Sequence, residues 1–156
     1  MEARMKNPAL VVPGAMQALL SLGGVTTHKN DSVAHRTLAL VHLRASQINS
    51  CAFCVDMHAR EARKLGESEE RLYAVPVFRE SPLFSEAERA ALALTEAVTR
   101  LSDRDDSVPE ALWQDVCRHY DEPARATLVL NIALVNLWNR LNVATKQVPG
   151  ALPAAA

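Results

Sequence analysis

The sequence predicts an all-α protein, a helical bundle of about six or seven helices. Aromatic residues make up only 4% of the 156 residues, and no segment shows the alternation of β-branched residues that is typical of strands. Proline, glycine and N-cap residues divide the chain into apolar segments of helical length. A chain of this length can bury its own hydrophobic core. We expect one domain over residues 1–156, with its core at about 8–150 and a flexible tail at 151–156.

The first half of the chain is predicted to contain three helices. The first, 8–22, starts at a proline and ends before a pair of glycines, which are typical first-turn and terminating residues. A polar stretch, 25–34, is predicted to be a loop and precedes a second helix over 35–48. The Asn-Ser pair that follows can cap a third helix over about 51–66.

The second half is predicted to contain four helices, at about 69–75, 85–101, 108–119 and 122–146. Ser85 and Ser107 each begin an S-x-x-E capping box, and Ser68 and Asp121 can cap the other two helices. The last helix contains "ATLVLNIALVNLW" and is apolar almost all the way round. We therefore expect it to be buried, in the domain core or against another subunit.

The charge balance and the apolar pattern exclude several classes of partner. Lys and Arg total 17, and Asp and Glu total 18, so the chain has no basic surface for nucleic acid or an anionic membrane. No apolar run reaches the roughly 18 residues that span a bilayer. The N-terminal segment is interrupted by Pro8 and Pro13 and is a poor signal peptide. We expect a cytoplasmic protein without nucleic-acid or membrane partners, where a permanent disulfide is unusual.

The stretch "SCAFCVDMHAR", Ser50–Arg60, combines a C-x-x-C pair with a histidine. Cys51 and Cys54 share one face of the predicted helix, and His58 follows Cys54 by one turn. Both cysteines lie in the first turn, where the helix dipole and free N–H groups stabilise a thiolate. An adjacent histidine can accept the thiol proton. The pattern favours a redox dithiol.

Two other interpretations of the cysteines remain open. A structural zinc site needs four ligands, and the remaining Cys and His residues offer no second pair at short spacing, although a composite site could assemble in three dimensions. The plainest alternative is a pair of half-buried cysteines beside a surface histidine. A thioredoxin fold is disfavoured because its C-x-x-C requires a βαβ pattern. The sequence contains no motif for a metal, flavin or haem cofactor.

The segment "LVHLRASQINSCAFCVDMHAREARKLGESEERLYAV" closely resembles the carboxymuconolactone decarboxylase superfamily, in its alkylhydroperoxidase (AhpD-like) branch. The resemblance covers roughly residues 8–150. It implies an all-helical fold, assembly into a homotrimer or homohexamer, and reduction of a peroxide substrate that is followed by re-reduction by a lipoyl-type dithiol. The decarboxylase branch lacks the C-x-x-C pair, which argues against a lyase.

The resemblance also implies roles for three residues. Cys54 would attack the peroxide and become a sulfenic acid, Cys51 would donate a proton and resolve it as a disulfide, and His58 would relay protons. The chain departs from the family pattern at Ala39, where a relay glutamate is usual, and at Phe53, where some members have a histidine.

Three explanations of Ala39 remain open: an engineered replacement, substitution by another acid, or slow or different chemistry such as redox sensing. Asp56 should point away from His58. Glu61 could orient His58, although we expect it to be an exposed salt-bridge residue.

Other residues near the motif are expected to be structural. We expect His42 to be a solvent-exposed helix residue and Cys117 a small buried one. Arg44 and Gln47 should hold the turn before the cysteines through backbone hydrogen bonds. Residues 138–140, a Trp-Asn-Arg sequence, should pack in the core or at an interface.

Overall fold

The structure, a computed structural model, describes residues 2–28, 31–103 and 105–150. The described part contains α-helices and no strand, which confirms the predicted all-α class. The helices are α1 Pro8–Val11, α2 Ala15–Gly23, α3 His35–Ile48, α4 Ala52–Lys64, α5 Glu69–Ala74, α6 Glu86–Thr99, α7 Glu110–His119 and α8 Glu122–Thr145. A π-type turn at Gly24–His28 follows α2, and 3₁₀ turns at Val75–Val77 and Leu101–Asp103 follow α5 and α6. The predicted flexible tail, 151–156, lies outside the described residues.

The first predicted helix is wrong as a single element, because the chain breaks between α1 and α2. Pro13 has no N–H to continue the helix, and Gly14 has a φ of 80°, in the left-handed region that favours glycine. The predicted loop at 25–34 begins with the π-type turn, and its residues 29 and 30 lie outside the described residues.

Side-chain caps set most of the other helix starts. Ser68 and Asp121 cap α5 and α8, and Ser85 forms a complete capping box with Glu88, as predicted. Ser107 does not cap α7, because it lies two residues before the N-cap position, and its hydroxyl donates to the carbonyl of Leu101 at 2.7 Å. Helix α7 starts after Pro109 without a side-chain cap.

Helix α3 lies at the centre of the fold and packs against α4, α6 and α8. Its residues Leu38 and Val41 belong to a cluster with apolar residues of α6, α7 and α8. Leu40 and Leu43 belong to a second cluster, with apolar residues of α4, α5 and α6. Since α3 is buried on both sides, it fixes the position of the loop that leads from α3 to α4.

Helix α8 differs from the expected all-apolar element, because its buried face carries four asparagines. We call them the asparagine row: Asn131, Asn136, Asn139 and Asn142, all at most 7% exposed. Several aliphatic residues of α8 face outward instead: Val129, Leu130, Leu137 and Val143. The described part of the chain contains no helix long and apolar enough to cross a membrane.

The middle of the asparagine row binds the segment that precedes the cysteines. Asn49 donates through Nδ2 to the side-chain oxygens of Asn136 and Asn139, at 2.9 and 2.8 Å. Asn139 donates to the hydroxyl of Ser46 at 3.0 Å, and Asn136 to that of Thr99 at 3.0 Å. The row therefore ties α8 to α3, to α6 and to the turn before α4. This arrangement agrees with the expected packing role of Asn139.

A buried ion pair replaces the backbone hydrogen bonds that we expected from Arg44. Its guanidinium donates to Glu96 of α6, with Nε at 2.7 Å from Oε1, and Arg79 donates to the other oxygen at 2.6 Å. Burial by itself raises the pKa of the Glu96 carboxyl, but the hydrogen bonds from the two arginines hold that pKa below its ordinary value. Arg44 therefore joins α3 to α6. Gln47 has no hydrogen-bond partner for its buried Oε1 among the described residues.

Candidate active site

Cys51 and Cys54 are bonded as a disulfide at the start of α4, with their Cα atoms 5.3 Å apart. Cys51 is the N-cap residue, and its sulfur accepts a hydrogen bond from the backbone N–H of Cys54 at 3.3 Å. Cysteine thus takes the capping position that we expected for Asn49 or Ser50. Ser50 instead makes the turn, with a φ of 52°. The cysteines are 2% and 0% exposed, so the disulfide lies beneath the surface.

His58 lies one turn beyond Cys54 and is also buried. Its Nδ1 is 2.8 Å from Oε2 of Glu61. A carboxylate only accepts hydrogen bonds, so Nδ1 carries the hydrogen, and Nε2 of the neutral ring is left to accept a proton. Glu61 has a side chain that is 52% exposed, and it orients His58 from the surface. Asp56 points away, to Arg60 and to the backbone N–H of Gly150, as predicted.

The expectation that His42 is solvent-exposed is wrong. The side chain is half-buried, its Nε2 is 3.0 Å from Oδ1 of Asn131, and its ring centroid is 5.1 Å from that of His58. Asn131 donates through Nδ2 to the carbonyls of Thr26 and Thr127, both at 2.9 Å. Those two bonds turn the amide oxygen towards His42, so Nε2 of His42 is the donor.

Asn142 contacts the Cys54 sulfur, with Nδ2 at 3.3 Å from Sγ. Its Oδ1 accepts a hydrogen bond from Nδ2 of Asn7 at 2.7 Å, and Oδ1 of Asn7 accepts from the backbone N–H of Ala9 at 2.9 Å. Asn142 was not among the residues expected at the site. The available signal was a repeated asparagine, three residues after Asn139, in an otherwise aliphatic helix.

Ala39 lies in the apolar cluster around α3, at 5% exposed, together with Leu43 of α3 and Ala62 of α4. It precedes His42 by three residues on the same helix, so it shares a face with the histidine that contacts His58. No acid from α3 therefore reaches the site at this position.

The chain is similar to the proteins of one known family. Residues 13–97 match the profile of the Carboxymuconolactone decarboxylase family. The uncharacterized protein YdfG of Bacillus subtilis is 39% identical over 134 residues, which cover 86% of this chain and 88% of YdfG. The chain belongs to the carboxymuconolactone decarboxylase family.

Solved structures of similar fold extend the comparison to AhpD-like members of the family. A protein of unknown function from Agrobacterium tumefaciens, described as a candidate antioxidant defence protein AhpD, superposes with a TM-score of 0.86 at 33% identity, covering 99% of this chain and 100% of that one. The debrominase Bmp8 superposes with a TM-score of 0.77 at 22% identity, covering 89% of this chain and 73% of its own. At that identity the likeness shows the shared fold alone.

The described residues bring thiol groups together at the start of α4. No group of three or more His, Cys, Asp or Glu side chains is arranged to hold a metal within the described ranges. Cys117 lies on α7 as a half-buried free thiol. The groups that the structure brings together are a disulfide, a histidine held by a carboxylate, a second histidine and an asparagine donor.

Proposed function

We propose that this chain is a thiol-dependent peroxidase or disulfide oxidoreductase that reduces alkyl hydroperoxides through the Cys51–Cys54 dithiol. The observation that carries the proposal is the disulfide at the start of α4, one turn before a histidine that a carboxylate orients. A dithiol that closes to a disulfide passes two electrons to an acceptor.

The oxidative half-reaction proceeds in two steps. The Cys54 thiolate attacks the terminal, hydrogen-bearing oxygen of the hydroperoxide, the O–O bond breaks, and the departing alkoxide takes a proton to leave as the alcohol, so Cys54 becomes a sulfenic acid. The Cys51 sulfur then attacks the Cys54 sulfur, the S–O bond breaks, and water leaves with the Cys51 proton. One peroxide is thereby reduced by two electrons and one disulfide forms.

His58 serves as the proton carrier in this scheme. Glu61 holds the hydrogen on Nδ1, which leaves Nε2 available to take the Cys54 thiol proton and to return it to the leaving group. Helix position alone would favour Cys51 as the more acidic thiol. The histidine one turn beyond Cys54 supports Cys54 as the attacking sulfur.

An external dithiol must reduce the disulfide to close the cycle, and we propose a lipoyl-type dithiol in a cytoplasmic setting, by analogy with the AhpD-like branch. We also propose that the chain works as a homotrimer or homohexamer. The outward-facing aliphatic residues of α8 support assembly, because adjacent apolar side chains on a surface are characteristic of subunit interfaces.

The test is peroxide consumption by the reduced protein with reduced lipoamide as the electron donor. We expect continuous turnover that Cys54→Ser abolishes. Cys51→Ser should stop after one equivalent of peroxide, leaving a sulfenic acid that dimedone traps on Cys54. Cys117→Ser is the matched control and should keep the rate.

A redox-sensing dithiol is the second candidate, and two observations favour it. Both cysteines are buried, which slows reaction with external dithiols, and Ala39 supplies no acid to the site. A sensor oxidises once to the Cys51–Cys54 disulfide and does not turn over with reduced lipoamide. That outcome would replace the peroxidase proposal.

A further inference from the structure

We propose that Asn142 is a catalytic residue of the thiol site, whose side-chain N–H stabilises the negative charge on the Cys54 sulfur. Its Nδ2 is 3.3 Å from Sγ of Cys54. The inference rests on the proposed function, since it assumes that Cys54 reacts as a thiolate. It adds a residue from α8, 88 positions along the chain from Cys54, to the cysteine pair at the start of α4 and to His58.

The orientation of the Asn142 amide follows from a chain of hydrogen bonds that begins at a backbone group. The N–H of Ala9 can only donate, so the group of Asn7 that faces it at 2.9 Å is Oδ1. Nδ2 of Asn7 therefore faces Asn142, and the atom that receives it at 2.7 Å is Oδ1. The remaining group of Asn142, its NH₂, is left facing Cys54.

The contact differs from the donor contacts of Asn131 and Asn136. Asn131 and Asn136 each donate through Nδ2 to the carbonyl four residues earlier on α8, at 2.9 Å in both cases. Their Nδ2 groups also donate to Thr26 and Thr99, so each has one partner within α8 and one outside it. The Nδ2 group of Asn142 instead points at a sulfur that is 0% exposed, where its described partner is the reacting atom.

Because the Cys54 sulfur is buried, the hydrogen bond from Asn142 stabilises its thiolate more than its neutral thiol. Water does not reach the Cys54 sulfur in this conformation, so a thiolate there depends on protein donors. Cys51 already receives the backbone N–H of Cys54, so without Asn142 the cap would favour a thiolate on Cys51. The donor from α8 therefore shifts the balance towards Cys54.

The experiment measures the reactivity of one thiol. In a Cys51→Ser, Cys117→Ser background, where serine keeps the N-cap, Cys54 is the remaining cysteine, and its alkylation by iodoacetamide is followed against pH. Asn142→Leu removes the donor without adding charge. We expect its rate at pH 7 to fall about tenfold and the midpoint of its pH profile to rise by about one unit.

Asn7→Ser is the second variant, and it tests the orientation at a distance from the sulfur. Serine keeps the cap on Ala9 but is too short to donate to Asn142, whose amide is then free to turn its oxygen towards Cys54. The midpoint should again rise. Asn136→Leu is the matched control: it removes a buried asparagine of the same row and should leave the midpoint unchanged.

An unchanged midpoint in Asn7→Ser, and in Asn142→Leu if that variant folds, would overturn the proposal. Equal shifts in all three variants would also overturn it, because they would show a general loosening of α8. Alkylation requires no peroxidase activity. A shifted midpoint without peroxide turnover would therefore reject the proposed function and leave the role of Asn142 standing.

Discussion

Glu61 holds Nδ1 of His58 at 2.8 Å within a single turn of α4. The site therefore contains a carboxylate–histidine pair although position 39 is an alanine. Because the Glu61 side chain is 52% exposed, water and salt weaken its field at the ring. Its main effect is to fix which nitrogen of His58 carries the hydrogen.

The first prediction compares the contributions of His58 and Glu61 to the rate of dithiol oxidation. We expect His58→Gln to lower the rate of dithiol oxidation by peroxide by about 10²-fold or more, because the proton carrier is lost. Glu61→Gln should lower it by about tenfold or less, since a glutamine oxygen can still accept from Nδ1. Stopped-flow mixing of reduced protein with peroxide gives both rates, and Glu70→Gln, an exposed acid of α5, is the control. A larger loss in Glu61→Gln than in His58→Gln would contradict this assignment.

The second prediction concerns Ala39→Glu. The new carboxylate would lie on the face of α3 that carries His42, close to the His58 ring, and we expect the peroxidase rate to rise by about 10². Position 39 is 5% exposed within an apolar cluster, so the same change should lower the melting temperature. Ala39→Gln has nearly the same volume without the acid, and it should lose stability without gaining rate. If the glutamine variant gained as much rate, proton transfer would not be the cause.

The third prediction concerns the pH dependence of stability. The pKa of Glu96 in the folded protein is lowered from its ordinary value of 4.5, with the hydrogen bonds from Arg44 and Arg79 overcoming the effect of burial. The stabilisation is therefore complete above about pH 4.5 and is lost as the pH falls through the folded-state pKa.

We expect Glu96→Gln to lower the free energy of unfolding at pH 7 by about 3 kcal/mol, because Arg44 stays buried without its charged partner. The difference from the unmodified protein should shrink as the pH falls below 4. Urea unfolding at a series of pH values measures this difference in unfolding free energy, with Glu70→Gln as the control. A difference independent of pH would show that the ion pair is not its source.

The fourth prediction concerns His42. Its Nε2 donates to Asn131, so His42→Phe should cost about 1 kcal/mol of unfolding free energy. His42→Gln can keep a donor and should cost less. We expect the rate of dithiol oxidation to stay within about threefold in the glutamine variant. A tenfold loss of rate in a folded His42→Gln protein would instead place His42 in the proton path.

The sequence was most informative where the signals are local. Helix α3 has the predicted bounds, because its apolar positions and its flanking residues act within a few positions of one another. The cap at Ser85 was predicted for the same reason. Ser107 failed as a cap although its motif has the same form, because α7 begins at Glu110 and its N-cap position is Pro109.

The contacts that complete the site join positions far apart in the chain, and no local pattern encodes them. Asn131 lies 89 positions from His42, and Asn142 lies 88 from Cys54. The exposure of His42 was mispredicted for this reason, since a histidine on a helix face looks exposed until its neighbouring helix is known. Predicting the pairing would have required the relative placement of α3, α4 and α8.

The asparagine row also determines how α8 can sit in the bundle. Its members are spaced by five, three and three residues, and each donates a hydrogen bond to a different partner on another element. A slide of α8 by one turn, about 5.4 Å, would leave no asparagine beside Thr26 and His42, the partners of Asn131, because the next asparagine lies five residues along the helix. Aliphatic contacts alone would tolerate such a slip, because they are not directional. The uneven spacing of the asparagines therefore favours one register of α8. That register sets the position of the Asn142 amide relative to the Cys54 sulfur.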